Sequence, residues 1–312
     1  MSALDEAVAD YLVWLAAHGY SGTTVRARRY YLAGLVAFLT ERDVAGPREV
    51  TPALLDSYQR HLFHHKKRDG APLSFRTQAQ RLVPVKGLFA WLASEGAIPF
   101  DPAASLVLPK TEHRIPEAVL SVEEVESVLA GPDTATALGV RDRAILEVFY
   151  STAIRRAELI SLHVADVDFT RGSLFVRQGK GARDRFVPIG ARALHWITRY
   201  LDEVRPTLER RPREATLFLS AYGGSLAPDV LSRMVSAYVR AGATKRGSCH
   251  LFRHTTATLM LDAGADVRYI AEMLGHQKLE TTMGYTRVSM AKLHEVHARC
   301  HPAEQSVRGS GV

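Results

Sequence analysis

Residues 248–258 read S-C-H-L-F-R-H-T-T-A-T, and L-G-H at 274–276 and G-Y-T at 284–286 follow. Four groups in this stretch suit phosphate chemistry. His250 and Arg253 lie three apart, so on a helix they share one face. His276 comes after an apolar segment, and Tyr285 follows in a polar stretch where burying an aromatic ring gains little. Upstream, Arg155 and Lys180 supply two more cations. The question for the rest of the chain is whether its fold brings these six residues into one site.

The first hundred residues carry helical patterning. Val8, Tyr11, Leu12, Leu15 and Ala16 form a stripe at helical spacing over 4–18, which Gly19 stops. Ser21 or Thr23 can cap a second helix over about 24–42, with Tyr31, Leu32, Leu35, Val36 and Leu39 inward. Thr51-Pro52 predicts a third helix start, ended by Asp69-Gly70. Ser74 opens a fourth through Leu82, Val85, Leu88, Phe89 and Leu92 to Gly96. Four helices with short connections make a bundle. Arg26, Arg28 and Arg29 fall on the second helix, and Arg76, Arg81 and Lys86 on the fourth. Such charges can be simply solvated. With Gln78 beside them, Arg76 and Arg81 also suit phosphates and base edges.

Three prolines over residues 101–118 oppose helix and predict an extended linker. Ser121-x-x-Glu124 then has the form of a capping box, and a second domain is expected over 119–302. It reads as mostly helical, with helices at 142–150, 156–162, 191–204, 229–241, 250–263, 267–274 and 290–298. S-L-F-V-R at 173–177 and R-F-V-P at 185–188 are β-rich and flank a glycine-punctuated turn, predicting a hairpin with Lys180 near its tip. Residues 216–220 are expected as a third short strand. The polar tail from 303 to 312 is expected to be flexible.

With 46% hydrophobic and 23% charged residues over 312 positions, the chain should be globular. Its net charge of +7 favours a polyanionic partner. The excess is +3 over residues 1–100 and +5 over 119–312, while 101–118 carry −1, a distribution that suits two domains gripping one polyanion. Cys249 and Cys300 make no disulfide framework, so a reducing, cytoplasmic setting is expected. No apolar run reaches membrane-spanning length, and no membrane association is expected.

Several familiar chemistries are excluded. G-K-G at 179–181 lacks phosphate-loop spacing. His250 and His254 are four apart, but there is no H-E-x-x-H. His61, His64 and His65, like His294, His297 and His301, read better as polar helix ends than as metal ligands, and no acidic cluster suggests a two-metal nuclease. A phosphodiester reaction here must therefore use side-chain cations, and no metal or other cofactor is expected. Arginine is suited to the non-bridging oxygens of a phosphorane-like transition state, being planar, permanently charged and bidentate. Tyr285 can be the nucleophile if positive charge and a base overcome its high pKa. A lysine at a hairpin tip can protonate a leaving oxygen. Each residue also has an ordinary use. Arg155 can pair with Glu158 or Asp166, Lys180 can be solvated, His250 can cap its helix, and His276 and Tyr285 can pack.

The ordered segments S-T-A-I-R-R-A-E-L-I-S-L (151–162), Q-G-K-G-A-R-D-R-F-V-P (178–188), H-L-F-R-H (250–254), L-G-H (274–276) and Y-T (285–286) resemble the boxes of the tyrosine recombinase (phage integrase) family, and Xer-type members most of all. The resemblance implies a mainly α fold with a small β-sheet: an α-helical, SAM-like core-binding domain and a mixed α/β catalytic domain, forming a C-shaped clamp on duplex DNA. It implies that Arg155, Lys180, His250, Arg253 and His276 are catalytic, that Tyr285 is the nucleophile, and that Glu158 is a supporting acid. Arg26, Arg28, Arg76, Gln78, Arg81, Arg183 and Arg185 are then the DNA-binding candidates. Ala153 replaces a usual glycine, and Cys249 a common proline.

The implied reaction is site-specific recombination through a 3′-phosphotyrosyl link and a Holliday junction, in a homo-tetramer on two DNA sites or a hetero-tetramer with a second recombinase. Integration or excision, transposition, and chromosome or plasmid dimer resolution all use this chemistry. Met290 onward would dock on a neighbouring protomer or pack in cis. The rivals are a type IB topoisomerase, which relaxes DNA without exchanging strands, and a non-catalytic DNA-binding relative.

Overall fold

The computed structural model describes residues 2–67, 69–110, 119–177, 184–211 and 214–275. Lys180, Arg183, His276 and Tyr285 lie outside these residues, as do the helix expected over 290–298 and the tail. The chain divides into two compact units, Met1–His113 and Arg114–Val312.

In the first unit, hydroxyl caps set the start of each helix. Helix α1 (Ala3–Ala17) opens with a reciprocal Ser2–Asp5 capping box. Ser21 caps α2 (Gly22–Thr40), Thr51 caps α3 (Pro52–His64), and Ser74 caps α4 (Phe75–Ser94). Gly19 and Gly96 take φ of 76° and 70° at the ends of α1 and α4, where a side chain would be strained. The inward stripes meet in one core that includes Leu15, Leu32, Leu35, Leu55, Leu82 and Phe89. Fully burying each leucine contributes about 1.5–3 kcal/mol. The core also takes in Ala103 and Leu106, from the segment expected as linker. Lys86 on α4 ties that segment down by donating to the carbonyls of Ala103 (2.8 Å), Ala104 (3.2 Å) and Leu106 (2.8 Å).

The second unit begins with the expected Ser121–Glu124 capping box on α5 (Val122–Ala130). Helix α6 (Ala137–Thr152) follows and has buried residues on several faces. Next come α7 (Arg156–Ser161) and an antiparallel sheet of β1 (Val167–Asp168), β2 (Ser173–Val176) and β3 (Arg185–Pro188), in that order. Leu174 pairs with both Val167 and Val187, and Val176 pairs with Arg185.

The third strand is not the one expected. Residues 216–220 make only isolated bridges, Thr216 to His163 and Leu219 to Ser225. The two-residue β1 occupies the sheet position instead. The helix expected over 191–204 is composite: α8 (Ala191–Arg199) passes through a wider π turn at Tyr200–Val204 into α9 (Arg205–Leu208). Tyr200 is buried at that turn, and its hydroxyl accepts from the Leu219 amide at 3.0 Å. The unit continues through α10 (Pro228–Gly242), α11 (Cys249–Asp262) and α12 (Val267–Leu274). No described helix is long and apolar enough to cross a membrane.

Candidate active site

Helix α6 stops at Ala153, which takes a left-handed conformation (φ 51°, ψ 24°). The chain then extends through Arg155, which is the N-cap of α7. Glu158, one turn into α7, accepts from the Arg155 amide at 2.8 Å and from Arg155 Nη1 at 2.8 Å. The cap of the helix thus also orients the guanidinium. Glu158 is buried, and burial alone would raise its pKa. Charge-assisted bonds from Arg185, then from the Arg155 amide and side chain, outweigh this and hold the carboxyl at about 2. It is a fixed anion between two cations.

Helix α11 brings in the second arginine. Phe252 packs in parallel against Phe149 of α6, with ring centroids 6.5 Å apart, and Thr256 Oγ1 donates to the Tyr150 carbonyl at 2.7 Å. These contacts fix the register of α11 on α6. In that register Arg253 is buried and donates to the carbonyls of Ala153 (2.8 Å) and Leu274 (2.7 Å). Arg155 Nη2 donates to the Gly275 carbonyl at 3.2 Å. Arg155 and Arg253, nearly one hundred positions apart in sequence, therefore meet at the C-terminal end of α12.

His250 sits in the first turn of α11 with an exposed edge. Partial desolvation, followed by the charges of Arg253, Arg156 and Arg155, pushes its imidazole below the ordinary histidine value. This favours the neutral ring, which can accept a proton. Arg156 was not anticipated. Its Nη1 donates to Ser232 Oγ on α10 at 2.6 Å, and it adds to the positive field at His250. The adjacent arginines at 155 and 156 were the only sequence signal for it.

Of the six candidates, the structure brings Arg155, His250 and Arg253 together with Glu158. Lys180, His276 and Tyr285 lie outside the described residues. Among those residues no three His, Cys, Asp or Glu side chains gather as a metal site.

The DNA-binding candidates divide. Arg26 and Arg76 are exposed, and Arg26 makes one long bond, to Thr23 Oγ1 at 3.3 Å. Arg28 is half-buried, donates to the Tyr11 hydroxyl and lies 5.1 Å from the Tyr20 ring centre. Arg81 is half-buried beside Tyr58, whose hydroxyl burial pushes up to about 12 against the opposing charge of Arg81. Two expectations need correction. Gln78 is inside the helical core and donates to the Leu73 carbonyl at 2.9 Å, because it lies on the apolar stripe of α4. Arg185 is committed to Glu158 and Met273, because strand alternation puts it on the inward face with Val187. Arg183 lies outside the described residues.

A model described as the phage integrase family matches residues 118–292. A curated relative from Ralstonia nicotianae, tyrosine recombinase XerC 2, is 50% identical over 91% of this chain and 82% of its own length. Tyrosine recombinase XerD of Lacticaseibacillus casei is 32% identical, covering 95% of this chain and 98% of its own. Among solved structures, the XerH site-specific recombinase bound to its difH substrate superposes with a TM-score of 0.69. It is 21% identical, covering 88% of this chain and 79% of that one.

Proposed function

This chain belongs to the phage integrase family and is an Xer-type, tyrosine-type site-specific DNA recombinase; from that premise we propose how its residues divide the work. Tyr285 Oη attacks the scissile phosphorus, and the phosphorus–5′-oxygen bond breaks. The tyrosine is left joined to the 3′-phosphate, and a free 5′-hydroxyl is released. Neutral His250 takes or shares the tyrosine proton, and Lys180 delivers a proton to the leaving oxygen. Arg155 and Arg253 balance the charge that develops on the non-bridging oxygens, and His276 hydrogen-bonds the same phosphate. The energy of the broken bond is kept in the phosphotyrosyl link. A 5′-hydroxyl from a second duplex can therefore reverse the step without ATP.

The observation that carries this reading is the meeting of Arg155 and Arg253 at one helix end, with His250 beside them. A single phosphate needs two such cations and a base, and an ordinary ion pair needs neither.

Duplex DNA is the partner. In the proposed assembly both basic units contact it, and four protomers hold two sites while strands exchange through a Holliday junction. The test is a two-site plasmid assay with supercoil relaxation scored in parallel. Reciprocal exchange that depends on Tyr285 supports recombination. Relaxation without exchange supports the topoisomerase reading instead.

A further inference from the structure

We infer that Arg185 is a positioning residue for strand cleavage and not a DNA contact: from edge strand β3 it braces Glu158 and the last turn of α12, and so fixes Arg155. This rests on the recombinase reading above.

All three guanidinium nitrogens of Arg185 are turned into the protein. Nη1 and Nη2 donate to the two oxygens of Glu158 at 3.0 and 2.9 Å, a paired fork, and Nε donates to the Met273 carbonyl at 3.0 Å. The side chain is 12% exposed, and each of its guanidinium nitrogens already has a protein acceptor.

The wider pattern is a ladder. The consecutive carbonyls of Met273, Leu274 and Gly275 accept from Arg185, Arg253 and Arg155 respectively. The last carbonyls of a helix have no partner within it and carry the negative end of its dipole. Here three cations satisfy three of them in succession. Two of those cations are the arginines assigned to the phosphate, and the third is tied to both Glu158 and α12. Without it, Glu158 loses the fork that sets its carboxylate plane, and Arg155 loses the plane it pairs with.

Gly275 fits the same account twice. Its φ of 63° is left-handed, and a Cβ there would lie 3.1 Å from the Arg185 guanidinium carbon. A lysine at 185 cannot replace the fork, because one ammonium cannot span both carboxylate oxygens and a third acceptor in a plane.

The test measures covalent adduct formation at saturating DNA on a nicked duplex carrying the site recovered with the wild-type protein. DNA affinity and its salt dependence are measured alongside. For Arg185→Lys we expect a cleavage rate at least about tenfold lower, as for a misplaced catalytic group, with DNA affinity within about twofold and the salt slope unchanged. Combining it with Glu158→Gln should add little to either single loss. Gly275→Ala keeps Arg185 but crowds its guanidinium, and it should show the same loss. Weaker DNA binding, a shallower salt slope and an unchanged saturated rate in Arg185→Lys would overturn the inference. If that variant does not fold, a Gly275→Ala chain cleaving at the wild-type rate overturns it independently. A wild-type chain that forms no adduct instead overturns the recombinase reading, and the inference falls with it.

Discussion

Ala153 holds a left-handed backbone, with φ 51°, at the hinge between α6 and the strand-like approach to Arg155. An L side chain there costs on the order of 1 kcal/mol, and glycine avoids that cost. This explains physically why a glycine is usual before the first arginine box. Ala153→Gly should therefore stabilise the chain by about 0.5–1 kcal/mol in denaturant unfolding. Cys249 is similar: it is the first residue of α11, where a proline is well tolerated.

Glu158 makes a second prediction at this scale. Its folded pKa of about 2 lies below its ordinary 4.5, so its stabilisation is fully present above pH 4.5 and is lost as pH falls towards 2. A shift of this size corresponds to an order of 3 kcal/mol. Glu158→Gln should flatten the decline in unfolding free energy over that window. An acid limb as steep as the wild type's would show that the ion pairs contribute nothing.

Helices were the most legible elements, because hydroxyl caps and apolar stripes mark them locally. Ser21, Thr51, Ser74 and Ser121 each cap a helix where their sequence context placed it, and Ser2, which caps α1, was not foreseen. The misses had tertiary causes. Strand β1 is two residues long and exists through pairing with β2, so no local pattern announced it. The π turn at Tyr200 is tied to a hydroxyl contact with Leu219, far along the chain. Gln78 was readable: it precedes Leu82, Val85 and Phe89 at helical spacing, and its polarity concealed its place on the stripe. In the site, residue types were legible. The carbonyl ladder on α12 was not, because its donors come from three separate elements. Element packing also yields a prediction. A Cβ on Gly87 of α4 would overlap the Tyr11 hydroxyl that Arg28 holds. Gly87→Ala should cost about 1–3 kcal/mol by overpacking, measured by thermal or denaturant unfolding; a neutral result would show that α1 and α4 shift apart freely.

At the scale of the whole molecule, each unit has its own hydrophobic core and carries net positive charge. We expect the exposed arginines to act through counterion release. Arg26→Ala or Arg76→Ala should weaken DNA binding and reduce the salt slope by about one each. Gln78→Ala should leave that slope unchanged and lower stability by about 1 kcal/mol, through the lost bond to Leu73. A slope change in Gln78→Ala would return that residue to the DNA interface.

The central claim is that arginines gathered at one helix end serve a tyrosine that becomes covalently joined to DNA. The direct measurement is to trap the protein on fragmented genomic DNA, identify the modified peptide by mass spectrometry and sequence the attached DNA. The account predicts a 3′-phosphate ester on Tyr285, fragments that share one site, and no adduct from Tyr285→Phe. An adduct on another residue, or none from the wild-type chain on any fragment, would contradict it.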